Sequence, residues 1–149
     1  MNGQKSINWG YMLETGGRPT LRTQRQMLKR HGVDTSDEFG PWMRDKVEGV
    51  TSRPMSALKD RRTLSLMIRE DHAAIVADVL CLGIGEPDVR KFVEIVHGIG
   101  ARVIVANKDA TYPPDRTEEL IAVFVQARKA WYNKVQNAAA RKAGKSKSK

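Results

Sequence analysis

The chain has 149 residues, 40% of them apolar and 29% charged, a balance typical of one globular domain with a hydrophobic core. Its single cysteine, Cys81, excludes a disulfide framework and a Cys/His zinc site. No apolar run reaches the roughly 18 residues of a membrane span and the N-terminus does not resemble a signal peptide, so we expect a cytoplasmic protein with no membrane partner.

The formal net charge of +9 is concentrated near the C-terminus. From residue 128 onward there are eight basic residues and no acidic one: Arg128, Lys129, Lys134, Arg141, Lys142, Lys145, Lys147 and Lys149. A nearly neutral body with a cationic end is typical of an electrostatic arm for a polyanion, most often nucleic acid. A run that only solubilises the terminus is the alternative.

The first third of the chain predicts a strand, a loop, a helix and a second strand. Ile7–Leu13 mixes β-branched, aromatic and apolar residues and ends at a Thr-Gly-Gly loop, as a strand would. Thr20–His31 has helical periodicity, with Gly32 as a C-cap and a strongly basic outer face. The irregular segment that follows has room for one short strand within Trp42–Val50.

A second helix is predicted after Arg53-Pro54, because proline suits a first helical turn. Met55, Leu58, Arg62 and Leu66 lie at the helical spacing that predicts one shared face.

The most apolar stretch, Ala73–Gly85, predicts a buried central strand that leaves the sheet through a Gly-x-Gly turn. Leu80–Ile84 would then lie beyond the carboxyl end of this strand, where ligands bind in open parallel sheets.

The next segment predicts a strand-helix-strand unit. After Glu86, the residues Val89, Phe92, Val93 and Val96 fall on one helical face, and Gly98 or Gly100 ends the helix. Residues 101–107 form a second buried strand and residues 109–115 a loop. Such a unit implies a right-handed crossover, so the fold class is α/β, with a mostly parallel open sheet flanked by helices.

A long helix is predicted for residues 116–142, after an α/β domain spanning residues 1–115. An apolar stripe on this helix continues beyond what so small a sheet can cover and predicts a dimer interface, formed by Leu120, Phe124, Ala127, Trp131 and Val135. Residues 143–149 predict a disordered basic tail.

These landmarks resemble the catalytic domain of the serine recombinases, the resolvase and invertase family. GYMLETGG is similar to the first strand with its Tyr-x-Arg-x-Ser motif, and LRTQRQMLKRHGV to the first helix, with Gln24 at its glutamine. DKVEG followed by Arg53-Pro54 resembles the Asp-x-x-Ser-Gly and Arg-Pro segment, and VLCLGIG stands in place of Leu-Asp-Arg-Leu-Gly-Arg. The C-terminal helix resembles the long interface helix that runs on to DNA.

The departures from this family fall on its chemistry. The resemblance places the nucleophilic serine at Thr15, the first-strand arginine at Leu13, and the serine before glycine at Glu48. The aspartate and two arginines of the second motif correspond to Leu80, Cys81 and Ile84, whereas Gln24, Arg53 and Gly83 are retained. Apolar side chains cannot donate to a phosphate as arginines do, so the resemblance implies a degenerate active site.

We therefore expect a non-catalytic, recombinase-like protein that associates with double-stranded DNA. It would dimerise or pair with an active recombinase, and it would modulate site-specific recombination; a phage or mobile-element origin would suit the family. One alternative is a weakly active recombinase that uses Thr15, and another is a protein-binding module built on the long helix. The three histidines are isolated from one another and from other metal ligands, so no bound metal is expected. The dinucleotide-binding glycine pattern is incomplete, and we expect no cofactor and no small-molecule substrate.

Overall fold

A computed structural model describes residues 7–36, 40–48 and 57–147, with side chains up to residue 141. The described strands form one sheet in the order β2-β1-β3-β4-β5. The strands are β1 (Asn8–Glu14), β2 (Trp42–Lys46), β3 (Ala73–Val76), β4 (Arg102–Val105) and β5 (Ala110–Tyr112). Adjacent strands from β2 to β4 are parallel, and β5 is antiparallel to β4.

The described helices are α1 (Leu21–Arg30), α2 (Lys59–Met67), α3 (Glu86–Ile99) and α4 (Thr117–Lys147). Short 3₁₀ turns occupy Val79–Leu82, Ala106–Lys108 and Pro114–Arg116. The architecture confirms the predicted fold class, a mostly parallel α/β sheet flanked by helices with a long C-terminal helix.

The two faces of the sheet carry separate cores because successive strand residues point in opposite directions. On one face Met12, Ala73 and Ile75 pack with Leu28 of α1. On the other face Tyr11 and its strand neighbours pack with α2, α3 and α4 in a larger cluster. Helix α1 therefore lies on the face opposite the other three helices.

Local sequence signals predict the bounds of α1 and α3 to within a residue or two. Thr20 caps α1, its Oγ1 accepting from the Thr23 amide at 3.2 Å. The four predicted apolar residues of α3 are all buried, and Gly100 ends the helix with a φ of 95°, in the left-handed region that favours glycine.

The central apolar stretch is a strand only over Ala73–Val76, which corrects the longer predicted strand. Asp78 ends the extended conformation, since its Oδ1 accepts from the Leu80 amide at 2.8 Å and starts the 3₁₀ turn. The turn residues stay buried, so burial explains their apolar character without a strand. Leu80–Ile84 do lie beyond the carboxyl end of β3, as predicted.

Two further predictions are corrected. The buried face of α2 includes Leu58, Arg61 and Leu64, whereas Arg62 and Leu66 are exposed, because the Arg61 guanidinium is drawn into the core by Asp88. The predicted loop at residues 109–115 contains β5, which pairs with β4 despite its short length. Met55 and Arg53 lie outside the described residues.

Helix α4 continues to Lys147, past the predicted boundary at residue 142. Leu120 and Phe124, which the sequence assigns to a dimer interface, are fully buried in the core of their own chain. Among the described helices, none is both long enough and apolar enough to cross a membrane.

Candidate functional site at the carboxyl edge of the sheet

The carboxyl ends of β1 and β3 meet at one edge of the sheet. The loop Thr15–Pro19 follows β1, and the segment Asp78–Gly85 follows β3. Helix α4 passes beside both and continues beyond them. Ligands of open parallel sheets bind at this edge, so it is the candidate functional site.

Arg18 joins the two loops at this edge. Its Nε donates to the carbonyl of Leu80 at 2.9 Å, its Nη2 donates to the carbonyl of Gly83, and its Nη1 to the carbonyl of Gly16 at 2.7 Å. Burial lowers the pKa of Arg18 from its ordinary value. Each guanidinium nitrogen thus donates to a backbone carbonyl, which uses three of the five N–H groups of this arginine.

Arg61 holds the same segment from the side of α2. Its Nη1 donates to the carbonyl of Leu82 at 2.7 Å and to Oδ2 of Asp88 at 2.9 Å. Asp88 in turn accepts from the amides of Ile84 and Gly85 and so caps α3. A Cβ on Gly83 would collide with Asp88 and Arg61, so the retained glycine is required by packing.

Helix α4 supplies the third arginine. The Nε of Arg128 donates to the carbonyl of Ile84 at 3.1 Å. One turn further on, the indole of Trp131 covers Gly17, where an added Cβ would lie 2.5 Å from the ring. Arginines from the β1 loop, α2 and α4 therefore donate to backbone carbonyls of residues 80–84. The resemblance to the recombinases would place arginines within this same segment.

Thr15 and Gln24 lie at this edge but do not form a catalytic pair. The Gln24 side chain is fully buried; its Oε1 accepts from the Leu13 amide at 2.9 Å, and its Nε2 donates to the carbonyls of Leu13 and Pro19, both at 2.8 Å. Gln24 thus fixes the β1 loop. Within the described ranges, the Thr15 hydroxyl makes no hydrogen bond to a base that could activate it.

The buried Tyr11 and Asp45 side chains are partners of each other. The Tyr11 hydroxyl donates to Oδ2 of Asp45 at 2.7 Å, and burial, reinforced by this carboxylate, raises the pKa of Tyr11. Asp45 accepts from the amides of Asp60 and Arg61, which begin α2. Both side chains therefore stabilise the junction between β2 and α2.

Cys81 is fully buried in the 3₁₀ turn. Burial raises the pKa of its thiol to about 12, and the charge of Asp78 acts in the same direction. A thiol with this pKa is almost entirely protonated at neutral pH, so Cys81 is a core residue.

Arg18, Arg61 and Asp88 were not among the residues that the sequence singled out. Arg18 stands in the Gly-Gly-Arg-Pro loop that was predicted correctly, but sequence does not give the direction of its side chain. Asp88 had a recognisable signal, because it follows Gly85 by three residues, as in a capping box. Arg53 lies outside the described residues.

The predicted DNA-binding residues lie on α4, within its described range, apart from Lys149. Arg128, Lys129, Lys134 and Arg141 are exposed, and α4 continues through Lys142, Lys145 and Lys147. Of the predicted interface stripe, Ala127 and Trp131 are partly buried against the core and Val135 is 48% exposed.

Across the described part of the chain, no group of three or more His, Cys, Asp and Glu side chains is placed to bind a metal ion. Each of the three histidines has a different partner in the fold. His31 contacts Asp109, His72 contacts Trp9, and His97 contacts Thr117.

No protein-family model matches the sequence, and no curated protein matches it significantly.

Proposed function

We propose that this chain is a non-catalytic, DNA-associated protein of the serine recombinase type, which binds duplex DNA through the projecting half of α4. Its role would be to modulate site-specific recombination, either as a homodimer or together with an active recombinase. The observation that carries the proposal is the cationic projection of α4 beyond the carboxyl edge.

Trp131 is the last partly buried residue among those of α4 whose side chains are described, and the projection comprises residues 132–147 after it. At 1.5 Å per residue this length is about 24 Å. Its basic residues meet no carboxylate along the helix, because the last acidic residue of the chain is Glu119. A helix that carries only positive charge is suited to the phosphate backbone of DNA.

The absence of cleavage in this proposal is supported by the chemistry at the carboxyl edge. Phosphoryl transfer requires cationic donors aimed at the charge that develops on the phosphate oxygens. Here the Arg18 guanidinium donates to three backbone carbonyls and that of Arg61 is buried with Asp88. With these bonds in place, neither guanidinium has its full set of donors available to a phosphate at Thr15.

The test is the affinity for a fluorescein-labelled duplex as a function of salt. In the α4 variant, Lys134, Arg141, Lys142 and Lys145, all within the projection, are changed to glutamine. A control variant removes the same charge elsewhere, at the exposed Lys59, Arg62, Lys91 and Lys108. Neither set includes Arg128 or Trp131, so both variants retain the contacts that hold α4 to the body.

The affinity of wild type and control should fall steeply as salt rises. A plot of log affinity against log salt should have a slope of about −0.9 for each phosphate that the protein neutralises. The α4 variant should lose most of that slope. Equal slopes for the two variants would show that the projection is not the DNA contact, and no binding at low salt would remove DNA from the proposed function.

A protein partner on the same helix is the second candidate, because Tyr132 and Val135 are 53% and 48% exposed on the projection. Apolar side chains on an isolated cationic helix gain stability by packing against a partner helix. Changing Val135 to glutamate should convert a dimer, measured by light scattering, into a monomer. A wild type that is monomeric at all concentrations would contradict self-association.

A further inference from the structure

Helix α1 carries a second all-cationic surface. Arg22, Arg25, Lys29 and Arg30 are exposed, and α1 contains no acidic residue. Their spacing places them in a stripe about 12 Å long on the solvent side of the helix, opposite the buried Gln24 and Leu28. The stripe is therefore fixed to the body of the protein, unlike the projection of α4.

Helix α3 pairs a surface cation with carboxylates, whereas α1 has no acidic residue of its own. On α3, Arg90 pairs with Glu86 and with Glu118 of α4. Within the described ranges, none of the four α1 cations forms an ion pair. Instead, the Arg25 guanidinium lies over the Trp42 ring at 5.0 Å and its Nη1 donates to the carbonyl of Thr35 at 3.4 Å, so this exposed side chain is ordered without an acidic partner in the described ranges.

Helix stability does not account for this arrangement. Lys29 and Arg30 in the last turn favour the helix dipole, but Arg22 in the first turn opposes it. Arg22 and Arg25 are three residues apart and Arg25 and Lys29 four, the spacings at which like charges repel each other. A polyanion on this face would relieve the repulsion.

We infer that the solvent face of α1 is a second binding surface for the phosphate backbone of duplex DNA. Because α1 packs on the sheet face opposite α2, α3 and α4, one chain would hold two duplexes, one on α1 and one on the projection of α4. The bridging part of this inference rests on the proposed function, whereas binding to α1 does not.

The α1 surface is tested first by itself. An α1 variant with Arg22, Arg25, Lys29 and Arg30 changed to glutamine is compared with the α4 and control variants described above, which remove the same number of charges. In the α4-variant background, the α1 changes should lower the remaining salt slope by about 0.9 for each cation that contacts a phosphate. If the α1 changes leave this salt slope unchanged, α1 does not bind DNA, whatever the result for α4. If they lower the slope, binding to α1 is supported even where α4 does not bind DNA.

Bridging is tested by capture of a fluorescent duplex on beads that carry a second, biotinylated duplex. Wild type and control should capture it, whereas the α1 and α4 variants should each lose most of the capture. If the α1 variant still bridges, two α4 projections of a dimer hold the duplexes and the inference is wrong. Saturation at one duplex per chain, or binding to anionic phospholipid vesicles without binding to DNA, would also overturn it.

Discussion

The Arg61 guanidinium and the Asp88 carboxylate form an ion pair of 2.9 Å, with side chains that are only 3% and 2% exposed. Arg61 belongs to α2 and Asp88 to the first turn of α3, so the pair joins two helices beneath the carboxyl edge. Both residues also bind backbone of the segment that follows β3. The pair therefore fixes the shape of the candidate site.

Removal of Arg61 should be strongly destabilising. Changing Arg61 to methionine fills part of the volume but leaves the Asp88 carboxylate buried without its cation, at a cost of about 3–5 kcal/mol in the free energy of unfolding. Urea denaturation measures this loss, and the exposed neighbour Arg62, changed to methionine, is the matched control. A loss below about 1 kcal/mol for the Arg61 variant would contradict the role assigned to the pair.

Gly17 should be intolerant of a side chain, whereas Gly16 should accept one. Gly17 has a φ of 81°, and a Cβ there would lie 2.5 Å from the Trp131 ring, while nothing lies within 4 Å of a Cβ on Gly16. Gly17→Ala should therefore lower the free energy of unfolding by about 1–3 kcal/mol and change Trp131 fluorescence as α4 loosens from the loop. Gly16→Ala should match wild type; equal effects of the two changes would contradict the contact.

The elements that could be predicted from sequence are those determined by residues close together in the chain. The stripe of α3 and the caps of α1 are local patterns, and both elements were placed within a residue or two. The strand after residue 73 was predicted too long, because an apolar run reports burial and does not distinguish a strand from a buried turn. The face of α2 was misplaced because a buried arginine breaks the apolar pattern.

The candidate site was predictable in position but not in detail. The edge beyond β1 and β3 follows from strand order in a parallel sheet. That Arg18, Arg61 and Arg128 all donate to carbonyls of one short segment could not be predicted, because the three residues lie far apart in the chain. Such contacts depend on packing and not on spacing.

Cys81 should be unreactive in the folded protein. Its thiol is fully buried and burial raises its pKa to about 12, so little thiolate exists at pH 8 and a reagent has no access to it. Labelling with a thiol-specific chromogenic disulfide should be slow in buffer and rapid in denaturing urea. Rapid labelling without denaturant would show that the 3₁₀ turn opens readily.

His72 should make stability depend on pH below neutrality. Its Nδ1 accepts from the Trp9 indole at 3.1 Å and from the Arg69 amide at 3.0 Å, and burial, with the charge of Arg69, lowers its pKa below the ordinary 6.5. A lowered pKa means that the unfolded chain takes up the proton first, so the contribution is present above about pH 6.5 and is lost as the pH falls through the folded pKa.

The measurement is the free energy of unfolding between pH 8 and pH 5, for wild type and for His72→Gln. Burial also lowers the pKa of His97, which remains in both proteins, so the difference between the two curves isolates His72. The wild-type curve should fall more steeply toward acid pH. Parallel curves would show that His72 has the same pKa in both states.

Thr15 should not form a covalent bond to DNA. The hydroxyl lacks an activating base among the described residues, and Arg18 of the same loop donates to the carbonyls of Leu80, Gly83 and Gly16. Placing at residue 15 the serine that the resemblance to recombinases implies, with Thr15→Ser, should therefore give no cleavage, because the missing stabilisation of phosphate charge is the larger deficit. Wild type, Thr15→Ser and Thr15→Ala should all give no protein–DNA adduct on a nicked suicide duplex in a denaturing gel, at equal affinity for intact DNA. An adduct that forms with wild type and disappears in Thr15→Ala would show instead that the chain is a slow recombinase whose arginines rearrange when DNA binds.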